Sequence, residues 1–286
     1  MPITVTQLFL YPVKSLRGME VKEATLSKTG FQWDRHWMIV KPDGGFITQR
    51  QFPQMVLINT AIDSNTLTLS KPGMPDCVIN LNEAMHSEVF TAKVWKDYCE
   101  VVDEGENVSE WLTKAIGTPK PLRLVRMADG HQRPQSKPDL LGKKTTTLFA
   151  DAAPYLICNQ QSLNAINQSL SNKNLSSVTI EHFRPNIVIN GIEAFREHAI
   201  TQLEHEYYQL KHCYPCQRCV VPTIDIETGK RHPQQQPFSL ISELNSMPDN
   251  TQAPAFGENA ILLTGENQVI KIGDQLNSLY NIKNSD

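Results

Sequence analysis

The sequence has little that would place it among the common nucleotide-dependent or hydrolytic enzymes. It holds no G-x-S-x-G elbow and no G-x-G-x-x-G fingerprint, so serine-hydrolase and dinucleotide-binding readings have no foothold. Charge of one sign is scarce too: the 286 residues carry a formal net charge of -3, with 20% charged and 40% hydrophobic residues, an ordinary soluble composition that excludes a generic polyanion binder. Nucleic acid is therefore not the expected partner. Cysteine is limited to six residues, three of them crowded together and the rest scattered, which is unlike the regular framework of a small secreted domain and fits a reducing cytoplasm. The stretch Met1 to Tyr11 alternates like a strand, lacks a basic leader region and is too short to span a bilayer, so neither a targeting signal nor a membrane partner is expected. Internal repeats and low-complexity segments are missing.

What is present centres on one segment. Cys213-Tyr214-Pro215-Cys216-Gln217-Arg218-Cys219 puts three thiols beside an arginine, just before the apolar run Val220 to Ile224. A thiolate binds soft or high-valent metals, and an adjacent guanidinium favours thiolate over thiol. Structural zinc is the competing reading, with His212 as a fourth ligand, but three cysteines at successive three-residue steps would strain a tetrahedron. An iron-sulfur cluster lacks its fourth nearby cysteine, since Cys158 lies far upstream.

Short β-branched and aromatic runs separated by turn residues fill the first part of the chain. Strands are expected at Thr4 to Tyr11, Val21 to Leu26, Trp37 to Val40, Phe46 to Arg50, Val56 to Ile62, Thr66 to Ser70, Val89 to Trp95 and Cys99 to Val102, with turns at Lys41 to Gly45 and Asp63 to Asn65. A helix follows at about Val108 to Ile116, stopped by Gly117 and Pro119. From Arg123 to Thr147, six basic residues face two acids, a local excess of +4 that reads either as a solvated linker or as a loop over an anionic ligand. Beyond it come a strand at Pro154 to Cys158, a helix capped by Asn159, and strands at Ile187 to Ile189, Tyr207 to Leu210, Val220 to Ile224, Ala260 to Leu263 and Val269 to Ile272. The fold class is mostly β with a few helices, an α+β chain with an N-terminal barrel-like domain over residues 1-122 and a second β-barrel domain over 123-286.

Polar clusters sit at the expected strand ends: Lys14-Ser15, Asp34-Arg35, Thr48-Gln49-Arg50-Gln51, His182 to Asn186 and Gln217 to Cys219. Lys14-Ser15 with Gly18 resembles a small phosphate cradle without the spacing of a P-loop. His36, His86, His198, His205 and His232 show no metal-ligand spacing and read as structural or surface residues.

Taken in order, Tyr11-Pro12-Val13-Lys14-Ser15, Asp34-Arg35-His36-Trp37-Met38, Phe46 to Gln51, Asp151 to Leu156, Phe183-Arg184-Pro185-Asn186, Cys216 to Cys219 with Thr223 and Asp225, and Phe256-Gly257 with Val269 to Asp274 resemble the MOSC family (molybdenum cofactor sulfurase C-terminal domain). The resemblance is to the branch with an N-terminal β-barrel domain that includes the amidoxime-reducing components. It implies a molybdenum cofactor held in a cleft between two domains, with Cys219 as the protein ligand to the metal and Cys216 as a family cysteine outside that role. It also implies that Lys14, Ser15, Arg35, Arg50, Arg184, Asn186 and Arg218 contact the cofactor's phosphate and pterin, and that Asp151 lies near the metal as a proton relay or an orienting group. The implied activity is reduction of small N-hydroxylated compounds, namely hydroxylamino-purines, amidoximes and hydroxylamines, with electrons from a separate ferredoxin- or flavin-type donor. The alternative it leaves is a sulfur carrier with a persulfide on Cys219. Cys213 has no counterpart in the resemblance.

Overall fold

A computed structural model describes residues 2–81, 88–135 and 137–280. His86 therefore lies outside the described residues. Seven strands close into a barrel in the order Tyr155–Asn159, Ile187–Asn190, Ile3–Leu10, Gln275–Tyr280, Ile200–Glu204, Gln209–Gln217 and Asn250–Thr264, with the last pairing back onto the first. All neighbours are antiparallel except Tyr155–Asn159 beside Ile187–Asn190. A parallel pair needs a long crossover, and the helix Gln160–Asn172 supplies it. Its start is fixed by the Asn159 side chain, which accepts from the Gln161 N–H at 3.1 Å, and Leu163, Ile166 and Leu170 form its buried face. Inside the barrel, Val5, Leu8, Ile157, Ile189, Leu203, Leu210 and Ala260 share one apolar core.

Two smaller sheets build the other half. Trp37–Val40, Arg123–Met127, Asp97–Asp103 and Phe90–Val94 pair in that order, and Asn59–Ile62, Thr66–Ser70 and Cys77–Asn80 form a meander. The helix Glu106–Ile116 packs against them through Val108, Leu112, Ala115 and Ile116, and ends where Gly117 turns left-handed and its N–H caps Thr113. Strand pairing does not follow a cut at residue 122. Ile3–Leu10 lies in the barrel formed mainly by later residues, and Arg123–Met127 lies in the sheet of earlier ones. The N-terminal strand thus carries Tyr11, Lys14 and Ser15 straight from the barrel to the other half.

Several expected elements take another form. Val220 to Ile224 is no strand: Pro222 has no N–H to give a ladder, and a 3-10 turn forms at Val221–Thr223. Phe46 to Arg50 makes only an isolated bridge at Phe46 before turning. Val56 to Ile62 divides into a 3-10 turn, Pro53–Leu57, and a strand, Asn59–Ile62. Two of the three crowded cysteines lie within a strand, because Gln209–Gln217 runs on past the expected end at Leu210. Finally, the basic stretch after Leu122 is tied to the fold through Arg133, which is buried and donates to Asp97 at 2.9 Å and to the carbonyls of Leu148 and Ala150.

Candidate active site

Lys14, Ser15, Arg35, Arg50, Asp151, Arg184, Asn186, Arg218 and Cys219 all line one cleft. They come from separate elements, and the backbone is bent to bring them there. Ser15, Arg35 and Arg184 have φ of 68°, 47° and 57°, and Trp95 at the cleft edge has 55°. Left-handed backbone at residues other than glycine stores about 1–3 kcal/mol each, and it gathers where side-chain aim matters more than local stability.

On one wall, Arg35 and Arg184 each place the guanidinium carbon 4.3 Å from the Tyr11 ring centroid. Arg35 donates to Asp34 Oδ2 at 2.5 Å and to the Arg184 carbonyl at 3.1 Å, and Arg184 donates to the Leu16 carbonyl at 2.6 Å. Burial, with the Arg35 charge alongside, draws Arg184 down to about 10. Lys14, only 5% exposed, donates to the Phe149 carbonyl at 2.8 Å and to Asp151 Oδ1. Burial pushes the Lys14 ammonium below its usual value, against the opposing pull of Asp151.

Asp151 itself is 60% exposed toward the cleft. Its concave surroundings desolvate the carboxyl, but the Lys14 charge and hydrogen bonds from Lys14 and Trp95 outweigh that and hold it at about 2. Asp151 is thus ionised at neutral pH, a carboxylate that accepts hydrogen bonds from the groups around it. The indole N–H of Trp95 donates to Asp151 Oδ1 at 3.0 Å. Sequence reading had put Trp95 at the end of a strand and missed it, since an isolated tryptophan carries no positional signal.

The thiols form another part of the lining. The strand Gln209–Gln217 is irregular between His212 and Tyr214 and again between Pro215 and Gln217, so Cys213 and Cys216 fall at register breaks, which re-aim side chains. Cys216 and Cys219 line the cleft and Cys213 does not. Arg218 donates from Nη1 to Cys216 Sγ at 3.1 Å and from Nη2 to the Phe183 carbonyl at 2.8 Å, while its buried Nε–H has no partner among the described residues. The guanidinium thus holds Cys216, its neighbour two residues back, and leaves Cys219 half-buried and open to the cleft. His212 gives its Nδ1 to the Glu197 carbonyl at 3.1 Å, and no group of three or more His, Cys, Asp or Glu converges among the described residues. The ligands of a structural zinc are therefore not assembled here.

Asn186 is spent on the fold. Its Oδ1 accepts from the Leu156 N–H at 3.2 Å and its Nδ2 donates to the Phe9 carbonyl at 3.4 Å, tying two barrel strands at the cleft floor. Five cationic side chains on the lining face one carboxylate, a local excess of +4 in a chain of net -3. Such a cleft focuses positive potential, and the Arg218 Nε–H, without a partner among the described residues, adds a buried donor to it. Both features fit a polyanionic ligand beside a soft-metal thiolate.

A closed β-barrel joined to a second β half, with a thiol and an arginine cluster at their junction, defines the class. Residues 2–119 match the MOSC N-terminal beta barrel domain and residues 144–277 match the MOSC domain. The chain belongs to the MOSC family. It is 32% identical over 283 residues to mitochondrial amidoxime-reducing component 1 of Homo sapiens, covering 95% of this chain and 81% of that one. To mitochondrial amidoxime reducing component 2 of Rattus norvegicus it is 31% identical over 235 residues, covering 79% and 68%. Molybdenum cofactor sulfurase of Bos taurus is 32% identical over 254 residues, covering 84% of this chain and 28% of the relative.

Proposed function

We propose that this protein is a molybdenum-cofactor-dependent reductase of N-hydroxylated compounds, taking hydroxylamino-purines, amidoximes or hydroxylamines to amines or amidines. The observation that carries the reading is Cys219, a half-buried thiol open to a cleft with a +4 excess of charge. The names of the amidoxime-reducing relatives support the reaction class.

The overall change consumes two electrons and two protons, breaks the N–O bond and releases the oxygen as water. A two-electron couple for that step is what the molybdenum cofactor supplies when bound. The chain's own residues do the rest. Cys219 is the thiolate donor to the metal. Lys14, Ser15, Arg35, Arg50, Arg184 and Arg218 hold the anionic phosphate and dithiolene, and Arg218 keeps Cys216 from competing for the metal by engaging its sulfur. Asn186 sets the cleft floor. Asp151 presents a fixed carboxylate to the substrate.

Electrons come from a separate ferredoxin- or flavin-type donor, since the sequence carries no flavin or nicotinamide fingerprint. All six cysteines are free thiols, which suits a reducing compartment such as the cytoplasm, and no helix among the described residues is long and apolar enough to cross a membrane.

Elemental analysis of desalted protein from a host that makes the cofactor tests this, wild type beside Cys219→Ala. The expected result is near-stoichiometric molybdenum in the wild type and its loss in the variant. Metal-free wild type with a cyanide-labile sulfur on Cys219 would overturn the reductase and establish the sulfur carrier.

A further inference from the structure

Trp95 is a partly exposed aromatic with contacts on its ring face, ring edge and indole N–H. Its side chain is 40% exposed, yet the Arg50 guanidinium carbon lies 4.4 Å from its ring centroid and Phe46 packs edge-on at 5.0 Å and 71°. Its backbone is in the left-handed region as well. Fixing a surface indole this way works against side-chain entropy and backbone preference, so some interaction of the ring must compensate. Beside the Arg50 and Phe46 contacts, the ring makes a directional one, the 3.0 Å hydrogen bond from Nε1 to Asp151 Oδ1.

The same oxygen also takes the Lys14 ammonium. Two donors from the N-terminal half thus share Oδ1, while Oδ2 makes no hydrogen bond within the described residues. Asp151 is 60% exposed and lines the cleft. A carboxylate with one oxygen clamped and the other open is a directional acceptor with a single vacant position.

We propose that Trp95 is a positioning residue: together with Lys14 it clamps Oδ1 so that Oδ2 of Asp151 accepts an N–H or O–H donor from the substrate. The site thereby selects compounds that carry a donor on or beside the N–O group, such as amidoximes and hydroxylamines, over tertiary amine N-oxides, which carry none. The identity of the substrate rests on the reductase reading; the clamp does not. Substrate specificity then depends on a contact between the two halves of the chain, since Trp95 and Asp151 lie 56 residues apart.

Trp95→Phe keeps the ring and deletes the N–H. The test uses the cofactor-loaded enzyme with a reduced low-potential dye as electron source, and compares benzamidoxime with a tertiary amine N-oxide as substrate or competing inhibitor. In Trp95→Phe the amidoxime KM, relative to the N-oxide constant, rises about tenfold, the scale of one charge-assisted hydrogen bond, with kcat falling less than KM rises. Asp151→Asn, which turns one acceptor oxygen into a donor, moves the ratio the same way. Calorimetric titration of the purified proteins with benzamidoxime gives a readout independent of turnover, and its Kd weakens by a similar factor in Trp95→Phe. An unchanged ratio together with an unchanged Kd overturns the proposal, as does a Trp95→Phe protein in which amidoxime and N-oxide weaken equally. If the loaded wild type turns over neither compound, the reductase reading falls, and the titration alone decides the clamp.

Discussion

Gly18 lies so close to the ring of Tyr11 that a Cβ on the glycine would come within 2.2 Å of Cε1. The ring cannot yield easily, because Tyr11 is 1% exposed and the Arg35 and Arg184 guanidinium groups both pack on it. Any side chain at position 18 therefore pushes on the support of two cleft arginines. Gly18→Ala is expected to destabilise the protein by about 1–3 kcal/mol, the usual range for overpacking, and to lower molybdenum content along with it. Urea unfolding with parallel metal analysis checks both. Tyr11→Phe makes the complementary case: the Tyr11 hydroxyl is buried with no partner among the described residues, so its removal is expected to leave stability unchanged or slightly raised.

The Lys14–Asp151 pair sets an acid limit. Asp151 falls from an ordinary 3.8 to about 2 in the folded protein. A depressed carboxyl contributes stability that is fully present above its unfolded value and is lost as pH falls through the folded one. The window is therefore about pH 4 down to 2. Because the carboxylate is 60% exposed, solvent screening limits its contribution to about 1 kcal/mol. Asp151→Asn should remove that limb from a plot of unfolding free energy against pH. If the limb is as steep in the variant, the pair is not its origin.

The cluster that lines the cleft was legible through the family resemblance, since each polar motif alone says little, and all nine residues it implies line one cavity. Its geometry was not. Three thiols beside Arg218 do not show in sequence which of them it engages; register breaks in Gln209–Gln217 turn Cys216 toward the guanidinium. Trp95 was invisible because its role depends on a contact with Asp151 that no local pattern encodes. In the fold, alternation found most strands, but β-branched content misread Val220 to Ile224, where the missing N–H of Pro222 prevails. The phrase Phe256-Gly257 gains its reason only in three dimensions: Gly257 is left-handed, and a Cβ there would meet Cys158 Sγ at 2.7 Å.

A second pH limb is expected on the alkaline side. His198 Nδ1 lies 2.6 Å from Glu258 Oε1, and Asn245 Nδ2 lies 2.9 Å from its Nε2. Burial disfavours the imidazolium, but the hydrogen bond and charge of Glu258, with the charge of Glu197, outweigh it and raise His198 above its usual 6.5. Burial likewise raises Glu258 above 4.5, against the opposing pull of His198. Both groups bind protons more tightly folded than unfolded. Their stabilisation is complete below the unfolded values and is lost as pH rises, for Glu258 from about 4.5 and for His198 through the range above 6.5. Thermal unfolding from pH 6 to 9 should show a falling Tm in the wild type and a flatter profile in His198→Asn. Parallel profiles would assign the decline elsewhere.

Arg218 is the residue whose replacement by another cation should be least conservative. Its guanidinium reaches Cys216 Sγ and the Phe183 carbonyl from two separate nitrogens, and its ring-facing carbon lies 5.7 Å from the Phe183 centroid. A lysine has one nitrogen and no plane, so it can satisfy one of these partners at a time. Arg218→Lys is expected to lose about 1–2 kcal/mol of stability, the scale of a buried hydrogen bond, and to free the Cys216 sulfur from its hold beside Cys219. Molybdenum content then drops while net charge is preserved, which separates geometry from charge. Cys213→Ser is the control, since Cys213 Sγ lies against the Lys211 carbonyl at 3.6 Å and outside the cleft lining, so metal content there should match the wild type. Full molybdenum in Arg218→Lys would mean that charge alone organises the thiols of the lining, and that the hold of Arg218 on Cys216 is incidental.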